Sequence, residues 1–460
     1  MPDAPLKELL ATIGMNGERL AGRVNALAET LRLPQRVHPK TPYKWIQGQT
    51  PKPPLRSLVV QVLSQELGRT ITVEEMGWPP DEPDTVPAAA GLQTPWTAAG
   101  TLRALRAVTH AGLMDRRHFM MLMGTALTAP AHEWLIAHPA QAAARAAGSK
   151  VPISVVDDLD HITDRLRRMD DQIGGGQLLS LIHEHLRYVT TLLDEHSYTA
   201  TVGRRLHATA GELLRLAGFA AFDDNQHARA QRYWIAGLHA AHTAGDRALG
   251  ANILGFMSCQ AKDLDGGREA VILAETARSA YPGASPKVRA ILALRAAEAS
   301  ANDQTATATR RAATTNRAID AAFDALADQP TSTGDPGWSY WMNLSQAHAQ
   351  AGYCHMKIGD YRQARFHLRR ALKLQGSTYS RERALRKFLL ATTYIKQQQP
   401  DLDAALAQAN EGVAILSSEV NSARCLGHLR RFADALTPFR RSAPAKDFLA
   451  QSRALINSRP

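Results

Sequence analysis

AGYCHMKIGDYRQARFHLRRALKL (residues 351–374) reads as two amphipathic helices joined by a tight turn at Gly359-Asp360-Tyr361. Gly352 lies on the first helix and Ala364 and Ala371 on the second, at offsets of 12 and 7. Two antiparallel helices approach closely only where the side chains between them are small, and large residues such as Tyr353 and Tyr361 fill the space beside the crossing. The same offsets join Gly218, Ala230 and Gly237; Ser258, Ala270 and Ala277; and Thr393, Ala405 and Gly412. The first two sets lie 40 residues apart and the last two 41. A period of this length points to stacked helical hairpins.

Outward from this window, residues 153–460 read almost wholly as amphipathic helix, broken every 15–20 residues by Gly, Asp or Pro, without strand alternation. The stretch 285–340 fits the repeat poorly, and QPTSTGDPGW within it reads as a loop. Hairpins of this kind bury their apolar faces only against neighbours, so a long concave surface is expected.

The N-terminal end has a different character. Residues 5–78 suggest a small helical domain: a helix at Pro5–Thr12, a second capped by Asn16 with Leu20, Val24, Leu27 and Leu31 in helical register, and a short third. The third is expected to have Thr41 as N-cap, Pro42 at its first position and Gly48 as C-cap. A fourth runs over Leu55–Leu67, and Thr72–Glu75 has the form of a capping box. Between Met15 and Arg56, Arg19, Arg23, Arg32, Arg36, Lys40, Lys44, Lys52 and Arg56 are opposed by few carboxylates. Such a lopsided charge suits an anionic partner, with double-stranded DNA the leading expectation. Tyr43, Lys44 and Gln47 are expected to face outward toward bases, with Thr41 at the helix start. Arg19, Arg23, Lys40 and Lys52 suit phosphate contacts, while Trp45 and Ile46 face the core. The alternative reading of this charge is an ordinary solvated face.

Composition sets bounds. The chain has 460 residues, a net charge of +11 and 45% hydrophobic residues, enough for two or three domains with real cores. Its three cysteines, Cys259, Cys354 and Cys425, are odd in number and widely spaced, which argues against a disulfide framework and fits a cytoplasmic, nucleoid-associated protein. DRRHFMMLMGTALTAPA (115–131) looks like a twin-arginine leader, but its apolar run is too short to span a bilayer, so it reads as a buried helix with Asp115 as N-cap. No membrane role is expected. Residues 79–99, rich in Pro and Ala, form the best linker, and a helical bridge fills 100–152.

These residues carry a resemblance. The window 351–374, and more loosely 216–238, resembles a tetratricopeptide repeat. LAGRVNAL (20–27) and KTPYKWIQGQTPKPP (40–54) resemble a lambda-repressor/Xre-type helix-turn-helix, with a longer connection over Arg32–Lys40. Together with MDRRHFMMLMGTAL (114–127), MDDQIGGGQL (169–178) and SARCLGHLRRFADAL (422–436), the chain is similar to actinobacterial regulators of sporulation and antibiotic production. Its architecture is also similar to that of the peptide-sensing quorum regulators of Firmicutes. The resemblance implies an all-α protein in which an N-terminal helix-turn-helix domain (1–78) is joined to a C-terminal tetratricopeptide-like solenoid (153–460). It further implies a homodimer on a palindromic operator, and a peptide or small-molecule effector in the concave face of the array. A tetratricopeptide scaffold without specific DNA binding is the alternative.

No catalytic or metal constellation emerges, and no cofactor is expected. His183-Glu184-His185 lacks the second histidine of HExxH, because position 187 is Arg187. Asp157, Asp158, Asp160 and His161 read as dipole-complementing residues at a helix start. Asp170-Asp171 before Gly174–Gly176 lacks the Lys-Ser/Thr of a phosphate loop, and GGG reads as a break between helices. Arg362, Arg365, Arg369, Arg370 and Lys373 read as a solvated basic face.

Overall fold

The computed structural model describes all residues except 1–4, 31–35, 53–54, 68–70, 72–74, 79–92, 111–120, 138–143, 174, 283–284, 328–333, 377–378, 419, 421 and 458–460. The described chain is all-helical; its only strand-like features are two isolated bridges, Arg145 with Tyr198 and Lys150 with Ser197. No helix among the described residues is long and apolar enough to cross a membrane. Two compact units divide at Pro95/Trp96.

The first unit holds α1 (Pro5–Thr12), α2 (Gly17–Thr30), α3 (Thr41–Ile46) and α4 (Leu55–Leu67). Leu6, Leu20, Val24, Trp45, Leu58 and Leu63 make its core, with Met76 and Trp78 closing one side. Asn16 caps α2 as its sequence suggests, accepting from the Arg19 N–H at 2.8 Å. Residues 72–74 of the expected capping box lie outside the described residues.

The second unit begins with Trp96, which stacks on His239 at 3.9 Å and donates to Glu133 at 3.1 Å. It continues through α5 (Ala98–His110), α6 (Thr125–Ile136), α7 (Ile153–Ile173) and α8 (Gly175–Glu195). Asp115 lies outside the described residues. The apolar run after it is not one helix: Leu122 bonds the Gln231 amide through both its backbone groups, and α6 starts only at Thr125.

Five helical hairpins follow: α9 (Ala200–Asp223) with α10 (His227–Ala244), α11 (Arg247–Asp263) with α12 (Gly267–Ala280), α13 (Pro286–Asn302) with α14 (Ala308–Ala327), α15 (Leu344–Lys357) with α16 (Tyr361–Leu374), and α17 (Ser380–Lys396) with α18 (Leu402–Ser418). They pack in chain order, solenoid-fashion, and α19 (Ala423–Ala435) and α20 (Ala443–Asn457) end the stack. The small residues sit at the crossings. A Cβ on Gly218 would fall 2.2 Å from Trp234, one on Gly352 2.7 Å from Leu368, and one on Gly412 2.8 Å from Phe388. Ser258 instead donates to the Ala270 carbonyl at 2.8 Å. Seven residues after each first small position, three hairpins turn through a left-handed residue: Asn225 (φ 56°), Asp265 (φ 62°) and Gly359 (φ 87°). These are the residue types for which that conformation costs least.

The hairpin α13/α14 was not legible as a repeat. Aligned on its turn, it places Ala299, Arg311 and Ala318 at the three positions, and the long Arg311 breaks the small-residue pattern. A second departure is greater. The array is not an open groove, because α7 packs on α17 and on the short turn Gly337–Ser339. The Arg381 guanidinium lies 3.5 Å from Asp170 on α7 and 3.7 Å from Asp223 on α9. Ser422 also bonds Asp223, at 3.2 Å. Helices some 200 residues apart in sequence are thereby tied together beside a partly open cavity.

Several charge clusters have structural tasks. The carboxylates of Asp157 and Asp160 lie beyond the first turn of α7, so they do not complement its start; both hold Arg205 of α9 at 2.7 Å. On α16, Arg365 donates to the Thr393 carbonyl and Arg369 to the Tyr394 hydroxyl, and both guanidinia lie over the Tyr394 ring. Arg362, Arg370 and Lys373 remain exposed.

Gly218→Ala should destabilise the second unit by roughly 1–3 kcal/mol, since fully buried Trp234 cannot retreat. Gly427→Ala on α19, whose nearest neighbour is 4.0 Å away, should instead stabilise it by up to about 1 kcal/mol. Thermal melts of the two variants should therefore move in opposite directions. Arg381→Met leaves two buried carboxylates without their shared cation and should cost about 3–5 kcal/mol in the same assay.

Candidate nucleic-acid interface

α3 is a helix of six residues, TPYKWI, and its placement depends on contacts beyond its own length. Trp45 is buried in the core and Ile46 packs partly against it, so the helix is pinned by its inner face. Its caps differ from expectation. Lys40, not Thr41, occupies the N-cap, and no side chain bonds there; Pro42 falls one residue further in. The Thr41 N–H reaches the His38 carbonyl at 2.8 Å instead. At the other end Gly48 (φ 98°) turns the chain, and the Gln49 N–H closes on the Lys44 carbonyl at 3.0 Å.

The connection leading into α3 is long, and one side chain fixes it. Asn25 of α2 donates to the Val37 carbonyl at 2.9 Å and accepts from the Val37 N–H at 2.7 Å. This paired contact works like a rung of a ladder, with Val37 itself buried. Ser64 does a similar job after α4, accepting from the Ile71 N–H at 2.9 Å.

The sequence-predicted residues divide into three groups. Arg19, Lys40, Lys44, Gln47 and Lys52 are exposed, and the four cations among them have no ion-pair partner among the described residues. Lys44 lies on α3 and Lys40 at its N-cap, whereas Arg19 lies on α2. Thr41 is half-buried, and Tyr43 is 40% exposed. The Tyr43 ring does not simply project outward: it lies on the start of α2, where a Cβ on Gly17 would be 3.1 Å from it. Arg23 is engaged, with Glu66 of α4 at 2.8 Å. Two further members of the charge run also differ from a solvent-facing arc. Arg56 is buried, and Arg32 lies outside the described residues.

The histidine-rich stretch in the second unit assembles nothing. His183 bonds the Thr109 carbonyl, His185 the carbonyl of Leu181 in its own helix, and Glu184 pairs with Arg187. Among the described residues no cluster of His, Cys, Asp and Glu has metal-site geometry. All three cysteines are buried and unbridged.

The sequence reading missed the Asn25–Val37 clasp and the Tyr43–Gly17 contact. An asparagine within a helix, facing a long connection, was the available signal for the first. For the second, a glycine at the first position of α2 was the only trace.

Residues 6–79 match the family described as SP15 N-terminal domain. The match covers the first unit and leaves the helical array outside it. Comparison with curated proteins gives no match.

Asn25→Ala removes both bonds to Val37 and leaves its backbone groups without partners. The expected loss is about 2 kcal/mol, read as a lowered midpoint in urea titration of the first unit's tryptophan signal.

Proposed function

We propose that the chain is a sequence-specific DNA-binding regulator of transcription, with a helix-turn-helix reading head in residues 5–78 and a tetratricopeptide-like array that senses a ligand. The observation that carries this reading is the set of exposed cations, Arg19, Lys40, Lys44 and Lys52, without ion-pair partners among the described residues, with exposed Gln47 at the C-cap of a helix anchored by Trp45. Phosphates satisfy such cations, and a glutamine amide on the rim can pair with adenine. The head is small and reads few base pairs, so two copies on a palindromic operator supply the specificity, and the protein acts as a homodimer. Within this reading Lys44 and Gln47 touch bases, while Arg19, Lys40 and Lys52 hold phosphates. Tyr43 and Arg23 act mainly by keeping α3 and α4 in place against α2.

Lys44→Ala and Gln47→Ala should each weaken binding to a selected operator by about 1–3 kcal/mol and relax its sequence preference. Arg19→Ala should weaken all duplexes alike and lower the slope of log affinity against log salt by about one. Gel shifts at several salt concentrations read both effects. Unchanged affinity in all three variants would favour the scaffold reading, in which the array binds proteins and the basic unit has no operator.

A further inference from the structure

Beside the contact of α7 with α17 lies a partly open cavity of about 180 Å³ in the second unit. Its volume slightly exceeds that of an engineered protein cavity, about 150 Å³, that holds benzene. Its chemistry is unlike that apolar case. Seven arginine and lysine side chains line it against four carboxylates. Five of those cations have a carboxylate within 3.8 Å. The other two do not.

Arg386 is 3% exposed and is held only by neutral acceptors: Ser345 Oγ at 2.9 Å, Gln375 Oε1 at 2.8 Å and Gln346 Oε1 at 2.7 Å. Arg424 makes no direct hydrogen bond or ion pair among the described residues; its guanidinium lies over the Phe222 ring at 5.6 Å, and the nearby carboxylates of Asp263, Glu382 and Asp223 favour its charged form. The Nε atoms of both are buried without a partner. Glu382 is the carboxylate nearest to serving them, but it is shared. Burial alone would raise its pKa, yet Arg381, Arg424, Arg386 and Arg295 together hold it below the usual carboxylate value. His428, also on the wall, is kept neutral by burial and adds no charge. Trp338 presents a further buried N–H without an acceptor, and Trp341 and Tyr340 extend a flat apolar wall beside it.

A buried guanidinium held only by neutral acceptors is costly, and burial lowers the Arg386 pKa although Glu382 opposes the shift. We propose that this cavity is a binding site for a small organic anion, a carboxylate or phosphate monoester carrying one flat ring, with Arg386 and Arg424 holding the charged head and the Trp338–Trp341 segment facing the ring. Arg386 is prearranged for this, because three side chains fix its fork before any ligand arrives. The inference rests on the sensing role proposed above for its consequence at DNA.

The test is made on the full-length protein without DNA, so its outcome is separate from that of the operator assays. Benzoate, phenyl phosphate, benzyl alcohol and benzylammonium are titrated at constant ionic strength, followed by calorimetry and thermal shift. At least one of the two anions should bind saturably at one site per chain and raise the melting temperature, and the preferred one tells whether the head is carboxylate or phosphate. Arg424→Met should weaken that anion at least tenfold in protein that a thermal melt shows to be folded, although the change also takes a cation away from Asp263, Glu382 and Asp223. Arg386→Gln should weaken it similarly. Equal binding of the alcohol or the ammonium, no saturable binding of either anion at millimolar concentration, or unchanged affinity in folded Arg424→Met would overturn the proposal.

Discussion

The second unit depends on the buried Arg381 guanidinium between Asp170 and Asp223. Stacked hairpins by themselves contact only their neighbours and can extend without limit. A cation on α17 that needs carboxylates from α7 and α9 imposes a closed arrangement instead. Buried ion pairs seldom add net stability, because desolvation consumes most of the Coulomb gain. What they add here is register: displacing α7 would take Asp170 away from the buried Arg381 guanidinium. The cavity follows from that closure, since α17, which carries Arg381, also supplies Arg386 to its wall.

Closure also requires that each hairpin be tight, and a steric rule supplies this. Gly218, Gly352 and Gly412 face Trp234, Leu368 and Phe388 with no room for a methyl group, and seven positions after the first two the left-handed Asn225 and Gly359 fold the partner helix back. This pattern was legible because it is local: spacing and residue size are both written along the chain. Where a long side chain intrudes, as Arg311 does, the hairpin survives on apolar burial from α13 while its signature disappears.

The first unit shows the same division. Its helices, the Asn16 cap and the inward Trp45 follow from apolar periodicity and capping chemistry. Charge was read less well, since counting cations along a segment does not reveal which are engaged. Arg23 finds Glu66, Arg56 is buried, and Tyr43 spends part of its ring on Gly17. Those partners come from α2 and α4, at separations that no local pattern encodes.

By itself the sequence determined the helical class, the hairpin period and the concentration of positive charge near α3, because each is a property of neighbouring residues. Only the tertiary structure decided that α7 packs on α17, that Asp157 and Asp160 serve Arg205, and that Arg386 is held by neutral acceptors. The physical reason is the same throughout. Electrostatic partnership in a folded chain is set by proximity in space and by burial, and both arise only once distant helices have packed.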